Sequence, residues 1–197
     1  MYDYRRMTAE EREQIVRQRR ERGFPLHAPP HLQGVAGEYL ITAACYEHRR
    51  IFEGPDELSW LTEVFLSTMT EVGFSCMAWV FLPNHYHLLL ETQDLSAVGE
   101  VLRKLHSRTA TGINSRQNQQ GRRVWYRYSD RLMRSERHHW ATVNYIHYNP
   151  VKHGYVARMA DWPWSSVHEL LAVWGRPRLE GVWNAYPIGE YGKGWDW

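Results

Sequence analysis

Apolar residues along this chain repeat with two different periods, and their order predicts an α+β domain. Runs of strand length, rich in β-branched and aromatic residues, alternate with stretches in which apolar residues recur at helical spacing. The predicted strands are 38–46, 74–82, 85–92 and 124–134, and the predicted helices are 56–72, 95–114 and 136–148. A β-α-β-β-α-β order with a further helix is typical of a ferredoxin-like antiparallel sheet that carries helices on one face.

Residues that start or stop elements set the boundaries of this domain. The helix of 136–148 is expected to end before Pro150, because proline lacks a backbone donor and restricts the residue before it. A capping box at Thr8 predicts an N-terminal helix to about Arg22, which a Pro- and Gly-rich linker follows. We therefore divide the chain into a charged N-terminal segment (1–36), a compact domain whose last short helix ends near its boundary (37–174), and a Gly- and Trp-rich C-terminal tail (175–197).

Composition bounds the setting in which the chain works. The 197 residues and the mass of 23.4 kDa suit one domain with extensions. The two cysteines, Cys45 and Cys76, lie in apolar strand-like runs, as expected for buried thiols in a reducing compartment. The sequence contains neither an apolar run of about 18 residues nor a readable secretory signal. We expect a cytoplasmic protein.

Positive charge is concentrated in one part of the chain. Ten Lys and Arg residues lie between 101 and 137, opposed only by Asp130 and Glu136. Mixed with aromatic residues, such a block suits a nucleic acid backbone whose bases stack on side-chain rings; a solvated basic face is the plain alternative. The DNA-binding candidates are Arg103, Lys104, Arg108, Arg122, Arg123, Trp125, Tyr126, Arg127, Arg131 and Arg134, with Lys152 further along the chain.

Two histidines stand one residue apart at the start of the third predicted strand, in the sequence FLPNHYHLLLE. Side chains at i and i+2 leave the same face of a strand, so His85 and His87 point toward one place. A pair of neutral imidazoles on a rigid sheet forms half of a divalent metal site. Hydrogen-bonded core or surface histidines are the alternative, because a His-x-His pair alone is a weak signal.

The last predicted helix carries the other candidate groups. Tyr145 and Asn149 are four residues apart and therefore share one face of the helix. An amide oxygen beside two imidazoles leaves positions on an octahedral Mg²⁺ or Mn²⁺ for water and phosphate, and the metal would withdraw charge from that phosphate while the phenol attacks it. Lys152 would add positive charge. The alternatives are a core aromatic at Tyr145 and a helix cap at Asn149.

Three sequence blocks, FLPNHYHLLLE, YIHYNPVKHGYV and DWPWSS, together resemble the single-tyrosine HUH transposases and, within them, the REP-associated tyrosine transposases. The blocks occur in that family's order and cover roughly residues 37–166. The resemblance implies that His85, His87 and Asn149 hold the metal, and that Tyr145 is the nucleophile. It also implies a 5′-phosphotyrosine link to single-stranded DNA, a free 3′-OH, and rejoining of strands without ATP.

The same resemblance implies a REP-like hairpin as the DNA substrate, for a protein that acts at the nucleoid as a monomer or homodimer. Residues 1–36 and the tail beyond about 173 lie outside the resemblance. Two other functions stay open at this point. One is a non-catalytic regulator that binds nucleic acid on the same fold. The other is a zinc hydrolase in which His147 or His153 joins His85 and His87.

Overall fold

The elements occur in the predicted order in the computed structural model, which describes residues 36–192 together with residues 8, 10, 13, 14 and 17. The helix predicted from Thr8 to about Arg22 and the linker after it fall almost entirely outside the described residues. The strands are β1 (Gly37–Ala44), β2 (Cys76–Phe81), β3 (His85–Thr92) and β4 (Ser129–Leu132), and the helices are α1 (Pro55–Glu71), α2 (Leu95–Arg116), α3 (Glu136–Lys152) and α4 (Val167–Ala185).

The four strands form one antiparallel sheet in the order β2-β3-β1-β4. This order is the split β-α-β arrangement, so the predicted ferredoxin-like α+β class is confirmed. The two crossover helices pack on one face, where the ring of Phe65 in α1 lies 4.8 Å from that of Tyr86 and the Tyr86 hydroxyl lies 2.8 Å from Nε2 of His106 in α2. The additional helix, α3, covers the opposite face.

Large aromatic side chains fill the space between the sheet and the two crossover helices. Phe65 and Tyr86 are fully buried, and Trp125 stacks on Phe52 at 5.3 Å and on His106 at 4.9 Å between ring centroids. Burying one such side chain contributes about 1.5–3 kcal/mol. Burial also lowers the pKa of His106 to about 4, so the imidazole that is hydrogen-bonded to Tyr86 is neutral. The cluster holds β3 rigidly against its helices.

The DWPWSS block closes the outer edge of β2. Ser165 forms a bridge with Val80, and the Phe81 N–H donates to the Trp164 carbonyl at 3.0 Å. The Trp162 indole donates to the Phe81 carbonyl at 2.9 Å. An edge strand with unpaired backbone groups invites pairing with other chains, and this segment prevents it. The block therefore stabilises the sheet that carries the histidines.

The predicted end of α3 before Pro150 is wrong, because the helix continues through this proline to Lys152. Pro150 removes only one donor, and the next turn keeps its hydrogen bonds. The His153 N–H donates to the Asn149 carbonyl at 3.0 Å, and the Tyr155 N–H donates to the Pro150 carbonyl at 2.9 Å. Asn149 therefore lies inside the helix and does not cap it.

Two further boundaries differ from the prediction. Of the strand predicted over 124–134, only β4 is regular. In the segment that precedes β4, the Tyr126 N–H donates to the Ala44 carbonyl, and Trp125 forms an isolated bridge with Cys45 and turns its side chain into the core. The last helix does not end near 174: it bends at Gly175, where φ is +74°, and continues to Ala185. Among the described residues, no helix is long and apolar enough to cross a membrane.

Candidate active site

His85 and His87 lie side by side on β3, on the face of the sheet that α3 covers. Their ring centroids are 5.1 Å apart, and only 3% and 0% of their surfaces are exposed. The turn at Pro83 reverses the chain directly before β3, and the Leu82 N–H donates to the His85 carbonyl at 2.9 Å. The structure thus brings together the two side chains that the alternating strand pattern placed on one face.

Neighbouring side chains orient both imidazoles. Asn84 donates through Nδ2 to the His48 carbonyl, which turns its Oδ1 toward Nδ1 of His85 at 2.8 Å. Asn84 therefore holds the His85 ring through Nδ1, which turns Nε2 toward α3. Nδ1 of His87 lies 2.7 Å from Oγ1 of Thr42, its direct partner in the register of β1 and β3. A hydrogen bond at one ring nitrogen orients the other as a metal ligand.

Tyr145 and Asn149 reach this pair from α3. Oδ1 of Asn149 lies 2.9 Å from Nε2 of His85, and the Tyr145 hydroxyl lies 3.5 Å from Nε2 of His87. One helical turn separates the two helix residues, so each meets one histidine. Neither exposes any surface. The Ser135 side chain caps the start of α3 and fixes the helix that carries them.

The donor atoms of this cluster suit a divalent metal ion. Nε2 of His85 and Oδ1 of Asn149, both of them atoms that can coordinate a metal, face each other at 2.9 Å. Nδ2 of Asn149 is buried and has no hydrogen-bond partner among the described residues. With Nε2 of His87 nearby, the set offers two imidazole nitrogens and one amide oxygen, and a cation between these acceptors would satisfy them.

Of the two histidines that a zinc site could add, only His153 lies near the pair. Nε2 of His147 lies 3.0 Å from the Ser166 hydroxyl, and burial lowers the pKa of His147 to about 3, as expected for a neutral core residue. His153 stays near His85, with ring centroids 5.0 Å apart. Within the part of the chain that the structure describes, no three His, Cys, Asp or Glu side chains are grouped to hold a metal.

Two basic side chains flank the tyrosine. Nζ of Lys152 lies 5.0 Å from the centre of the Tyr145 ring. Arg131 of β4 pairs with Leu40 in the register, two residues from Thr42, and so lies on the same face of the sheet as the histidines. Burial lowers the pKa of Arg131, while the neighbouring Tyr191 and Tyr145 phenols raise it. The surroundings of the phenol are therefore positively charged.

The C-terminal segment covers the Tyr145 ring, which the sequence pattern did not predict. The Tyr191 ring lies 5.7 Å from that of Tyr145, its hydroxyl contacts the Thr142 hydroxyl, and the Gly192 carbonyl accepts a hydrogen bond from Lys152 at 3.1 Å. A side-chain carbon at 192 would overlap the Tyr145 ring. The backbone therefore packs directly against the phenol.

The predicted DNA-binding residues separate into three groups. Trp125 is 7% exposed and donates to Thr109 in the core, so it cannot serve as a stacking platform. Arg122 holds its own loop through Asn114 and Gln117. The remaining nine candidates are exposed or partly exposed. Arg103, Lys104 and Arg108 lie on α2 at the opposite face, while Arg123 packs against the rings of Tyr46 and Tyr126, and Arg127 lies between Tyr126 and β4. Arg131, Arg134 and Lys152 lie on the side of the histidines.

Tyr148 is the other tyrosine of this helix close to Asn149, and its environment differs. Its side chain is 39% exposed, and it lines a surface pocket together with Val151, Met159 and Trp183. Tyr145 alone of the two contacts His87.

The family model described as "Transposase IS200 like" matches residues 36–149, more than half of the chain. A REP-associated tyrosine transposase of Haemophilus influenzae is 31% identical over 142 residues, which are 67% of this chain and 80% of that protein. The REP-associated tyrosine transposase of Escherichia coli is 35% identical over 120 residues, 57% of this chain and 66% of that protein.

A solved structure of a REP-associated tyrosine transposase bound to a REP hairpin shares the fold, with a TM-score of 0.56 at 22% identity over 74% of this chain and 84% of that chain. The resemblance indicated by the three sequence blocks is confirmed. The chain belongs to the IS200-like transposase family.

Proposed function

We propose that this member of the IS200-like transposase family nicks and rejoins single-stranded DNA at hairpins through a covalent bond between Tyr145 and a 5′-phosphate. The observation that carries the proposal is the meeting of four buried polar side chains from two elements, His85 and His87 of β3 with Tyr145 and Asn149 of α3. Polar groups are costly to bury, and such a cluster is typical of a site for chemistry.

The reaction that fits this cluster is phosphoryl transfer to a phenol. The Tyr145 oxygen attacks the phosphorus of one backbone phosphate and loses its proton, and the bond between that phosphorus and the 3′ oxygen of the preceding nucleotide breaks. The 3′ oxygen takes up a proton and leaves as a hydroxyl. The reverse attack of a 3′-OH on the phosphotyrosine restores a phosphodiester, and it needs no ATP because the bond energy stays in the covalent intermediate.

The phenol needs help from its surroundings, because a tyrosine with an unperturbed pKa near 10 is a weak nucleophile at neutral pH. Lys152 and Arg131 supply positive charge that favours the phenolate and attracts the phosphate. The Asn84 and Thr42 side chains keep the two imidazoles in place.

The residues that would hold a divalent ion, Mg²⁺ or Mn²⁺, are His85, His87 and Asn149. When bound, the ion supplies Lewis-acid polarisation of the phosphate. The protein contributes an imidazole that Asn84 holds through Nδ1, so that Nε2 of His85 faces Asn149. The rigid core behind β3 fixes the position of both rings, so the site needs little reorganisation before reaction.

The proposed substrate is single-stranded DNA flanking a REP-like hairpin. A relative with the same fold is bound to a REP hairpin, and a single strand can bend its backbone into a site closed between a helix and a sheet. The exposed basic side chains near the histidines suit the phosphates of the adjoining DNA. We expect the protein to act at the nucleoid, as a monomer or homodimer.

The test is a denaturing gel of the purified protein with labelled hairpin DNA and Mn²⁺. We expect a gel-stable protein–DNA adduct with the single-stranded hairpin and none with the matching duplex, because the phosphate must reach a buried phenol. Excess chelator should abolish the adduct. An equal adduct on duplex DNA, or an adduct in chelator, would overturn the proposal, and hairpin binding without any adduct would favour a non-catalytic regulator.

A further inference from the structure

The C-terminal end of α3 lies against one of the two histidines of β3. His153 follows Asn149 by four residues, as Asn149 follows Tyr145, so the three side chains lie one helical turn apart on one face. The His153 ring meets the His85 ring edge to face, with centroids 5.0 Å apart and ring planes at 68°. The reaction proposed above gives no role to His153.

A glycine after the helix fixes the place of His153. Gly154 has a left-handed backbone, with φ at +71°, and its N–H donates to the Val151 carbonyl at 3.0 Å. The Tyr155 N–H donates to the Pro150 carbonyl at 2.9 Å. These two bonds form a Schellman motif, which ends the helix sharply and makes His153 its cap residue. The motif therefore fixes the point at which the His153 side chain leaves the backbone.

A row of aromatic rings continues from His153 to the edge of the sheet. The Tyr155 ring lies 6.4 Å from the His153 ring and 5.2 Å from the ring of Trp162. Trp162 is buried, and its indole donates to the Phe81 carbonyl of β2 at 2.9 Å. The ring that touches His85 is therefore supported by a side chain that is itself anchored to the sheet.

The His85 ring requires a contact of this kind to keep its orientation. The terminal torsion of a histidine side chain is soft, and Asn84 holds the ring at Nδ1 only. Aromatic rings favour edge-to-face packing at this separation, so the His153 ring restricts the tilt of the His85 ring. Nε2 of His85 then stays directed at Oδ1 of Asn149, 2.9 Å away.

We propose that His153 is a positioning residue, whose ring holds the His85 imidazole in the orientation that binds the metal ion. Removal of such a supporting group typically weakens metal binding 10- to 100-fold. The inference rests on the proposed function, because it requires a divalent ion at His85. It assigns the role to the shape of the His153 ring and not to its nitrogens.

Two substitutions separate the ring from its nitrogens. His153→Phe keeps a flat ring and removes both nitrogens, whereas His153→Asn keeps a polar group and removes the ring. Titration of the full chain with Mn²⁺, followed by the loss of the free-ion EPR signal, measures metal affinity without DNA. We expect His153→Asn to weaken Mn²⁺ binding about 10-fold and His153→Phe to bind Mn²⁺ nearly as well as the wild type.

The matched control is His139→Asn, the same substitution in the same helix. The His139 ring also meets a neighbouring ring edge to face, that of Trp140 at 4.6 Å, but its Nδ1 contacts the Glu38 carboxylate instead of the metal site. This variant should leave Mn²⁺ affinity unchanged. Thermal melting of each variant distinguishes a loss of fold from a loss of positioning.

The Mn²⁺ dependence of adduct formation supplies a second measurement. His153→Asn should raise the Mn²⁺ concentration for half-maximal rate about 10-fold and recover most of the wild-type rate at saturating Mn²⁺, because the attack by Tyr145 itself is unchanged. A rate that is lowered equally at every Mn²⁺ concentration would indicate a merely structural defect and would contradict the positioning role.

Unchanged Mn²⁺ affinity in His153→Asn would overturn the inference. A folded His153→Phe that binds Mn²⁺ as weakly as His153→Asn would also overturn it, because the nitrogens would then be the groups that matter. If His153→Phe does not fold, His153→Asn decides alone. These outcomes leave the adduct at Tyr145 intact, whereas a wild-type protein that forms no adduct with hairpin DNA at any Mn²⁺ concentration refutes the proposed function.

Discussion

The two faces of β3 differ in chemical character, although both are buried. On one face, Tyr86 packs among aromatic rings from both crossover helices and has no exposed surface. On the other face, His85 and His87 are equally buried but meet polar groups, among them Asn149 and Thr42. Alternation along one strand therefore places a hydrophobic core and a buried polar cluster back to back.

The difference shows how the fold separates stability from chemistry. The aromatic face contributes apolar burial, which holds the sheet, and the polar face gains little stability because desolvation offsets its hydrogen bonds. We expect substitutions on the aromatic face to change the free energy of unfolding and those on the polar face to change DNA cleavage. The following variants test that separation.

The largest effect is expected for His87→Ala. Loss of one metal-binding imidazole should reduce adduct formation about a thousandfold or more, since metal stabilisation of a phosphate is worth several kcal/mol. Hairpin affinity should stay within a few fold, because backbone contacts supply most of it. The neighbouring control, Tyr86→Phe, should cost about 1 kcal/mol of stability through the lost bond to His106 and keep cleavage. Normal cleavage by His87→Ala would refute the metal assignment.

On the aromatic face, Phe65→Ala should lower the free energy of unfolding by about 3–5 kcal/mol, because it leaves a cavity beside Tyr86 and Phe81. Urea unfolding measures this loss. The folded fraction should still form the adduct at a rate close to that of the wild type. A variant that keeps its stability but loses cleavage would contradict the proposed division between the faces.

The covering segment makes a smaller contribution. A chain that ends at Pro187 lacks the Tyr191 ring and the Gly192 carbonyl that lie over Tyr145. We expect the initial rate of adduct formation to rise several-fold, because the phosphate no longer has to displace this segment. Tyr191→Phe, which keeps the ring and loses only the bond to Thr142, should increase the rate less. A truncated chain of normal stability and lower rate would contradict this expectation.

The smallest expected effect distinguishes basic residues on the two sides of the sheet. Arg131→Ala should reduce the slope of log affinity against log salt by about 0.7, the value for one lost phosphate contact on a single strand. Arg103→Ala, on α2 at the other face, should leave the slope unchanged. Equal changes for both variants would mean that DNA wraps around the whole domain.

Much of this arrangement follows from local rules that are visible in the sequence. The alternation of side chains along a strand predicted that His85 and His87 share one face, and their separation by four residues predicted that Tyr145 and Asn149 share one face of α3. Pro150 is an exception to the rule that proline ends a helix. It removes one helical hydrogen bond, but the buried packing around it keeps the helix intact.

Other features depend on contacts between distant segments, which periodicity does not encode. Trp125 lies in a basic, aromatic run that resembles a DNA surface, yet its ring fills the core between Phe52 and His106. The cover that Tyr191 forms over Tyr145 joins residues 46 positions apart, and Gly175 and Pro177 obscure the helical pattern that leads to it. The Asn84 and Thr42 contacts become visible only once the strand register is known.

The most direct test of the central claim is peptide mapping of the trapped protein–DNA adduct, combined with two conservative variants. We expect the DNA to be attached to Tyr145. Tyr145→Phe should form no adduct while keeping its melting temperature and hairpin affinity, and Tyr148→Phe should still form the adduct. DNA attached to Tyr148, or an adduct that persists in Tyr145→Phe, would contradict the assignment of Tyr145 as the nucleophile.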